Sequence, residues 1–496
     1  MAPAPWEIVP RHETLFVLVT GASSGIGLGI GQRLISEYLA TRSLSAHLVL
    51  IPTARNVKKS NETVYALRQH AKEVALTSTT LRARAGPSYD PRQTTRRIHI
   101  LSVQLDLCNF LTVQQAADQL VNGTLSGPPN EGGADDDADF FEPLVDVHIP
   151  RLDSVILNAG IGGWTGIDWP KVVHNILTRG IVQATTWPTF KAATPGYLIN
   201  PLPAKKNADQ RDAKVPVPQS RPQPQPRVGE VFCANVFGHY LFVHAVTPLL
   251  WRDSDPLPPG RIIWESSIEP VWDSLSLDDF QGIKTDAAYE SSKRVTDLLA
   301  LTSSLPAAWP FVSSWLKPDK KANPTAAAAT NPPKVYVVHP GVVQTTMFPL
   351  NAFLFFWYRV VLYLSRFLGS PWHPITAYKG ACAPVWLALQ EQGALDAVGA
   401  ERIKYGSSTT WAGEDRVKMS EVEGWGWDGR VADPNVAVSK DRDTRLLGKT
   451  TGRKHGATEL SEGKRAEFEA LGVACWRKMD ELRKEWEVRI QKSTSN

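Results

Sequence analysis

At 496 residues the chain could hold two or three average domains, or one domain with large insertions, and 43% hydrophobic with 21% charged residues describes a globular protein with ample core. Its formal net charge of +4, from 54 basic and 50 acidic residues, is too balanced to argue for nucleic acid as a partner. The four cysteines (Cys108, Cys233, Cys382, Cys475) are scattered and form no CxxC pair, so they read as free thiols in a reducing compartment, and neither a disulfide frame nor a metal site is expected.

The first seven residues lack both a basic n-region and an apolar h-region, so no cleaved signal peptide is expected. Phe16-Val17-Leu18-Val19 is an apolar, β-branched run and reads as a buried parallel strand. It breaks at Thr20-Gly21, and a helical pattern covers Ile26 to Leu39. The turn between them, Gly21-Ala22-Ser23-Ser24-Gly25-Ile26-Gly27, has the form of a dinucleotide cradle. Gly21 permits the tight turn, and Gly25 and Gly27 remove side chains where a pyrophosphate would approach the helix N-terminus. A second strand, Leu48–Ile51, ends at Pro52-Thr53-Ala54-Arg55-Asn56. An acid here would bind the 2′-hydroxyl of NAD; this strand end has none but offers the guanidinium of Arg55, which suits a 2′-phosphate, so NADPH is expected.

A helix over about 57–82 leads to the strand Ile98–Leu105, whose end places Asp106 where a carboxylate could accept from an adenine amino group. A helix near 110–121 runs into Asn122–Asp146, a Gly-, Pro- and Asp-rich stretch that reads as a flexible surface insertion. The strand Ser154–Leu157 delivers Asn158-Ala159-Gly160 at the same sheet edge. This alternation is the α/β pattern of a Rossmann-type doubly wound parallel sheet with right-handed crossovers. Gly162–Pro170 is an aromatic, glycine-rich loop beside the place of a nicotinamide, and 201–229 is a low-complexity, Pro-rich insertion.

A helix starting near Val231 carries Asn235 and Gly238. The strand Arg261–Trp264 ends in Glu265-Ser266-Ser267, and the strand Lys334–Val338 ends in His339-Pro340-Gly341-Val342-Val343-Gln344-Thr345. Between them, Tyr289 and Lys293 lie one turn apart on one helix face. A tyrosine that serves a carbonyl reduction must give up its proton although its reference pKa is ~10, and a nearby ammonium lowers that value toward the working range. Ser267 can donate to the substrate oxygen, and Lys293 can also hold ribose hydroxyls.

Taken together, Thr20–Gly27, Asn158–Gly160, Asn235, Ser266-Ser267, Tyr289, Lys293 and Pro340-Gly341 resemble the short-chain dehydrogenase/reductases over about residues 15–346. Within that superfamily, Trp164–Pro170, Tyr289–Arg294 and the apolar stretch after Thr345 resemble the fungal 3-ketosteroid reductases of sterol C-4 demethylation. The resemblance implies that Tyr289 is the proton donor, Lys293 its electrostatic partner and Ser267 the oxyanion stabiliser, with Asn235 positioning a relay water. Ser266 stays open as the alternative serine, because the gap to Tyr289 is longer than the family's usual spacing. It further implies a cofactor site of Gly21, Ser23, Ser24, Gly25, Ile26, Gly27, Arg55, Asp106, Asn158, Ala159, Gly160, Tyr289, Lys293, Pro340, Gly341, Val343 and Thr345. The implied activity is NADPH-dependent reduction of a 3-oxo sterol to the 3β-alcohol in ergosterol biosynthesis. Another lipophilic ketone, a retinoid-like aldehyde, or a non-catalytic scaffold on the same fold remain the competing readings.

Leu350–Leu368 is the most hydrophobic run in the chain, with Ala352, Arg359, Tyr363 and Arg366 on one helical face. An arginine near the middle of a spanning helix is costly, so an in-plane amphipathic helix is expected, with a buried core helix as the alternative. The expected setting is the cytosolic face of the endoplasmic reticulum or a lipid droplet, with other enzymes of sterol C-4 demethylation as partners. Ala377–Leu389 reads as a packing helix, Arg402–Ser408 as a last strand and Trp411–Gly456 as loops. The domain reading is one reductase unit over 1–455, with insertions near 122–150 and 196–229 and an apolar helix near 347–369. A C-terminal amphipathic helix follows over 456–496, with Phe468, Leu471, Cys475, Met479, Leu482 and Trp486 along one stripe.

Overall fold

In strand β1 (Thr14–Val19) both sides of the pleat are apolar, so Phe16 and Leu18 enter one core while Val17 and Val19 enter another. A strand of this kind is stable only where helices cover both faces, and the computed structural model, which describes residues 3–128, 139–202, 226–253, 257–318, 330–345, 351–431, 445–446, 449–450 and 452–495, has that arrangement. Its strands are β2 (His47–Ala54), β3 (Ile98–Ile100), β4 (Val103–Gln104), β5 (Ser154–Leu157), β6 (Trp164–Ile167), β7 (Lys191–Ala193), β8 (Leu198–Ile199), β9 (Val228–Gly229), β10 (Arg261–Glu265), β11 (Lys334–His339), β12 (Lys404–Thr409) and β13 (Asp415–Ser420). The main sheet runs β13-β12-β11-β10-β5-β1-β2-β3, with β4 pairing β2. All its pairs are parallel except β12–β13. The doubly wound reading holds.

The helices used below are α1 (Gly25–Thr41), α2 (Val57–Thr77), α3 (Thr79–Ala85), α4 (Pro91–Thr95), α5 (Phe110–Val121), α6 (Trp169–Arg179), α7 (Ile181–Thr186), α8 (Glu230–Phe232), α9 (Gly238–Val246), α10 (Ala288–Thr302), α11 (Trp309–Leu316) and α12 (Ala352–Phe367). One sheet face packs on α1, α2 and the Cys382–Leu389 helix, and the other on α5, α9, α10 and α11. The C-terminal helix, Glu462–Ser495, adds Phe468, Cys475, Trp476, Met479, Trp486 and Ile490 to that second face. Trp476 Nε1 donates to the Leu299 carbonyl at 3.1 Å, and Trp315 stacks on Tyr240 beneath it. Burying such aromatics stabilises by roughly 1.5–3 kcal/mol each.

Four expectations need correction. The helix over 57–82 breaks at Ser78, whose hydroxyl accepts from Leu81 N and starts α3. The 122–150 stretch is pinned at both flanks, because Leu125 bridges Val147 while Phe141 and Leu144 bury their side chains; its centre lies outside the described residues. The glycine-rich segment after Gly160 is no simple loop but a hairpin, β6–β7, that carries α6 and α7 between its strands. Part of Trp411–Gly456 is β13, an antiparallel edge that pairs along the whole of β12. The 201–229 insertion is closed at its base by the β8–β9 pair, and residues 203–225 lie outside the described residues. So do 346–350, just before α12.

Candidate active site

The turn after β1 brings Gly21 against β5's exit. A Cβ at Gly21 would sit 2.8 Å from both Cα and Cβ of Ala159, and its φ of +65° already selects glycine. A Cβ at Gly27 would meet the Gly21 carbonyl at 2.3 Å and Asn158 Nδ2 at 2.6 Å. Asn158 acts on this turn: its Nδ2 donates to the Thr20 carbonyl at 3.0 Å, and its own N–H donates to Thr20 Oγ1 at 2.9 Å. Ser23, Ser24 and Ile26 complete the turn, and the Ser24 side chain caps none of α1's first amides. In front of Gly25 the nearest atom to a built Cβ is Thr345 Cγ2 at 4.0 Å. Uncapped amides facing a side-chain-free cradle fit a dinucleotide pyrophosphate. Arg55 is exposed directly after β2, and half-buried Asp106 follows β4, the strand paired with β2's end. Asp106 Oδ1 accepts from Cys108 N at 3.0 Å.

Ser266 and Ser267 separate cleanly. Ser266 Oγ donates to Asp297 Oδ1 at 2.6 Å inside the core, whereas the Ser267 hydroxyl reaches the Tyr289 phenol. Lys404, 2.7 Å from Asp297, also donates to the Ser267 carbonyl at 2.5 Å, so a buried ion pair fixes the serine's backbone. Ser267 is therefore the serine brought to the phenol, and Ser266 is a core residue.

Lys293 Nζ donates to the Glu265 carbonyl at 2.8 Å and stands 5.8 Å from the Tyr289 ring centroid. Burial lowers its pKa to about 8 against the pull of Glu265 and Asp297. The Tyr289 pKa is not lowered as expected: burial, reinforced by the nearby Glu269 carboxylate, holds the phenol well above its usual value, and the hydrogen bond from Ser267 only partly offsets this. A phenol that keeps its proton until charge develops on a substrate oxygen suits a proton donor.

Asn235 lies in a π-turn, Cys233–Phe237, between α8 and α9. Its Oδ1 accepts from Ile161 N at 2.8 Å, and its Nδ2 donates to the Ile161 carbonyl and to Ser292 Oγ, both at 3.0 Å. It thus ties the Asn158–Ile161 turn to α10; a Cβ at Gly160 would strike Asn235 Oδ1 at 2.8 Å. Gly160 and Ala159 are backbone positions of that turn.

Ser267 and Tyr289 open into a cavity of about 260 Å³. Pro340, Gly341, Val343 and Thr345 line one part of it, and Ile167, Trp169 and Ile176 with Leu354, Trp357 and Val361 form its apolar walls. Sequence reasoning missed three residues here: Lys191 and Glu269 in the cavity wall, and Glu265 beneath Lys293. It also missed α6, although Asp168 capping Lys171 N at 3.1 Å, Pro170 in the first turn and Gly180 at the end were legible start and stop signals.

A carbonyl held at this edge meets a protonated phenol, a serine hydroxyl and a lysine, all beside a dinucleotide cradle on a Rossmann-type sheet. That combination defines an oxidoreductase of the short-chain dehydrogenase/reductase class. The chain is 47% identical over 486 residues to the 3-keto-steroid reductase ERG27 of Gibberella zeae, covering 98% of this chain and 97% of that protein. It is 38% identical over 484 residues to the 3-keto-steroid reductase erg27 of Aspergillus fumigatus, covering 95% and 94%. With the Saccharomyces cerevisiae ERG27 it shares 26% over 408 residues, covering 82% and 89%. The chain belongs to the 3-keto-steroid reductase family. No protein-family model matches it.

Exchanging the two serines checks their division of labour. Ser267→Ala removes the hydroxyl at the reacting edge, so kcat for a 3-oxo steroid should fall about 10²–10³-fold with unfolding by urea unchanged. Ser266→Ala leaves Asp297 short of a donor, so stability should fall by about 1–3 kcal/mol with kcat kept.

Proposed function

We propose that the protein uses NADPH to reduce the 3-oxo group of a lipophilic sterol, 4-methylated or demethylated, to the 3β-hydroxyl in ergosterol biosynthesis. The observation that carries this reading is a cavity with apolar walls and one reactive wall, in which Ser267 and Tyr289 stand together. The names of the relatives support the substrate class. When bound, the dinucleotide would supply hydride to the carbonyl carbon. Tyr289 would pass its proton to the carbonyl oxygen, and Ser267 would donate a second hydrogen bond to it. Lys293 would hold the ribose hydroxyls, and Asn235 would orient a water that restores the phenol's proton. Gly21 to Gly27 would cradle the pyrophosphate and Asp106 would receive the adenine. Asn158, Ala159 and Gly160 would line the dinucleotide's path, with Pro340, Gly341, Val343 and Thr345 framing the nicotinamide.

The surface around the same cavity supports a reading of location. Among the described residues no helix is long and apolar enough to cross a membrane. α12 nevertheless turns Phe353, Phe356, Trp357, Val360, Leu364 and Phe367 outward as one stripe, while Leu362 and Ser365 are buried. Arg359, also outward, and half-buried Arg366 lie on the flank of that stripe. Nearby α6 exposes Trp169, Val173 and Leu177, the last at 80%. Thr185 Oγ1, 3.0 Å from both Ser365 Oγ and His373 Nε2, ties α7 to α12, so the exposed apolar faces flank one cavity. Such surfaces support in-plane docking on the cytosolic face of the endoplasmic reticulum or on a lipid droplet, with sterol entering from the lipid. Other enzymes of sterol C-4 demethylation would meet the protein there.

Incubation of the purified protein with NADPH and a 3-oxo sterol should yield the 3β-alcohol by mass spectrometry, and Tyr289→Phe should lower turnover about 10²–10⁴-fold with dinucleotide affinity kept. Near-normal turnover in that variant would remove Tyr289 from the mechanism. Arg55→Asp should weaken NADPH and shift preference toward NADH; a wild type already better with NADH would refute the role of Arg55. Changing Phe353, Phe356 and Phe367 to Glu removes roughly 1.5–3 kcal/mol of interfacial burial per residue and should release the protein from vesicles in flotation assays. Reduction of a water-soluble ketone should survive that change.

A further inference from the structure

Lys191 is a second lysine at the catalytic tyrosine. It lies on β7, and its side chain is 4% exposed. Its ammonium is 4.0 Å from the Trp164 ring centroid and 5.1 Å from that of Tyr289, nearer than Lys293 at 5.8 Å. Trp164 meets Tyr289 edge to face with centroids 4.9 Å apart. Two carboxylates hold the ammonium there: Glu269, two residues beyond Ser267, as a close ion pair, and Glu290 at 3.7 Å. Four segments thus converge on one buried charge: β6, β7, the chain after β10, and α10. Tyr358 of α12 also lies within the field of Glu269.

We propose that Lys191 is a positioning residue of the reaction: held by Glu269 and Glu290, it clamps Trp164 against the Tyr289 ring and tunes the proton affinity of the phenol. The proposal rests on Tyr289 being the proton donor. A cation over an aromatic face is attracted by the ring's quadrupole, the more so once desolvated. It also favours the phenolate, whereas a carboxylate opposes it. The groups around Glu269 are Lys191 on β7, Tyr289 and Glu290 on α10, and Tyr358 on α12. Burial pushes the Glu269 carboxyl up, against the pull of the Lys191 ammonium, and so favours loss of its charge. Loss of that charge leaves the Lys191 cation less masked. Lys191 and Glu269 therefore act on the phenol with opposite signs.

The opposition makes the test. Lys191→Met, Lys191→Arg, Glu269→Gln and Tyr289→Phe would be prepared in the full chain, and kcat, KM and pH profiles measured with NADPH and a 3-oxo steroid. Dinucleotide affinity would be read separately by fluorescence titration. Lys191→Met should lower kcat about 10–100-fold with dinucleotide affinity kept, and should move the alkaline limb of the kcat profile to higher pH, because the phenol holds its proton longer. Glu269→Gln should move the same limb to lower pH, and Lys191→Arg should restore most of kcat. Wild-type kcat and profile in Lys191→Met, with Tyr289→Phe inactive, would overturn this proposal alone. An active Tyr289→Phe would instead overturn the reading of the phenol. Shifts of the same sign in Lys191→Met and Glu269→Gln would leave Lys191 with a packing role and likewise overturn it.

Discussion

Asp297 and Lys404 meet at 2.7 Å with side chains 1% and 3% exposed, between the helix that carries Tyr289 and the last parallel strand. Withdrawing two such charges from water is expensive, and removing one partner of a buried pair typically costs about 3–5 kcal/mol because the other is left uncompensated. Further hydrogen bonds support the pair here: Asp297 takes the Ser266 hydroxyl, and Lys404 donates to the Ser267 carbonyl. The chain leaving β10 is held at two consecutive residues, and the next side chain out, that of Ser267, faces the phenol. α10, the chain leaving β10 and β12 are thereby tied to one another directly behind the reacting edge.

The electrostatics of that edge are set by exclusion of water more than by any single neighbour. Tyr289, Lys293, Glu265 and Glu269 are all pushed toward their neutral forms by burial; neighbouring charges partly resist this at Lys293, Glu265 and Glu269 and reinforce it at Tyr289. Such a site keeps a proton available without requiring a strong acid. Neither oxygen of Glu265 has a hydrogen-bond partner among the described residues, and burial lifts its pKa to about 8 against the pull of Lys293. The apolar cover formed by β6–β7, α6, α7 and α12 extends the exclusion from the phenol to the whole cavity.

The glycine turn, the Asn158–Gly160 exit, Tyr289 and Lys293 were all legible in the sequence, because each rests on local rules. Buried parallel strands read as continuous apolar runs, a helix sets i and i+4 on one face, and a glycine marks where no side chain fits. α12 was equally plain, since its composition alone sets it apart. The hairpin carrying α6 and α7 was not, for the opposite reason: β6 and β7 are four and three residues long and are separated by two short helices, so neither has a periodicity of its own. Their pairing exists only because the rest of the fold brings them together.

By itself the sequence determined the order of the strands' exits, the cradle and the pair of residues on α10, all consequences of backbone sterics and hydrophobic period within a few residues. Only the tertiary structure decided that Ser267 and not Ser266 faces the phenol, since that choice belongs to Asp297 and Lys404, 31 and 107 residues apart from their partners in the chain. It also decided that the phenol is raised, not lowered, in proton affinity. Local spacing puts Lys293 one turn from Tyr289, but burial and the carboxylate of Glu269 act through space, from segments whose proximity no run of residues encodes.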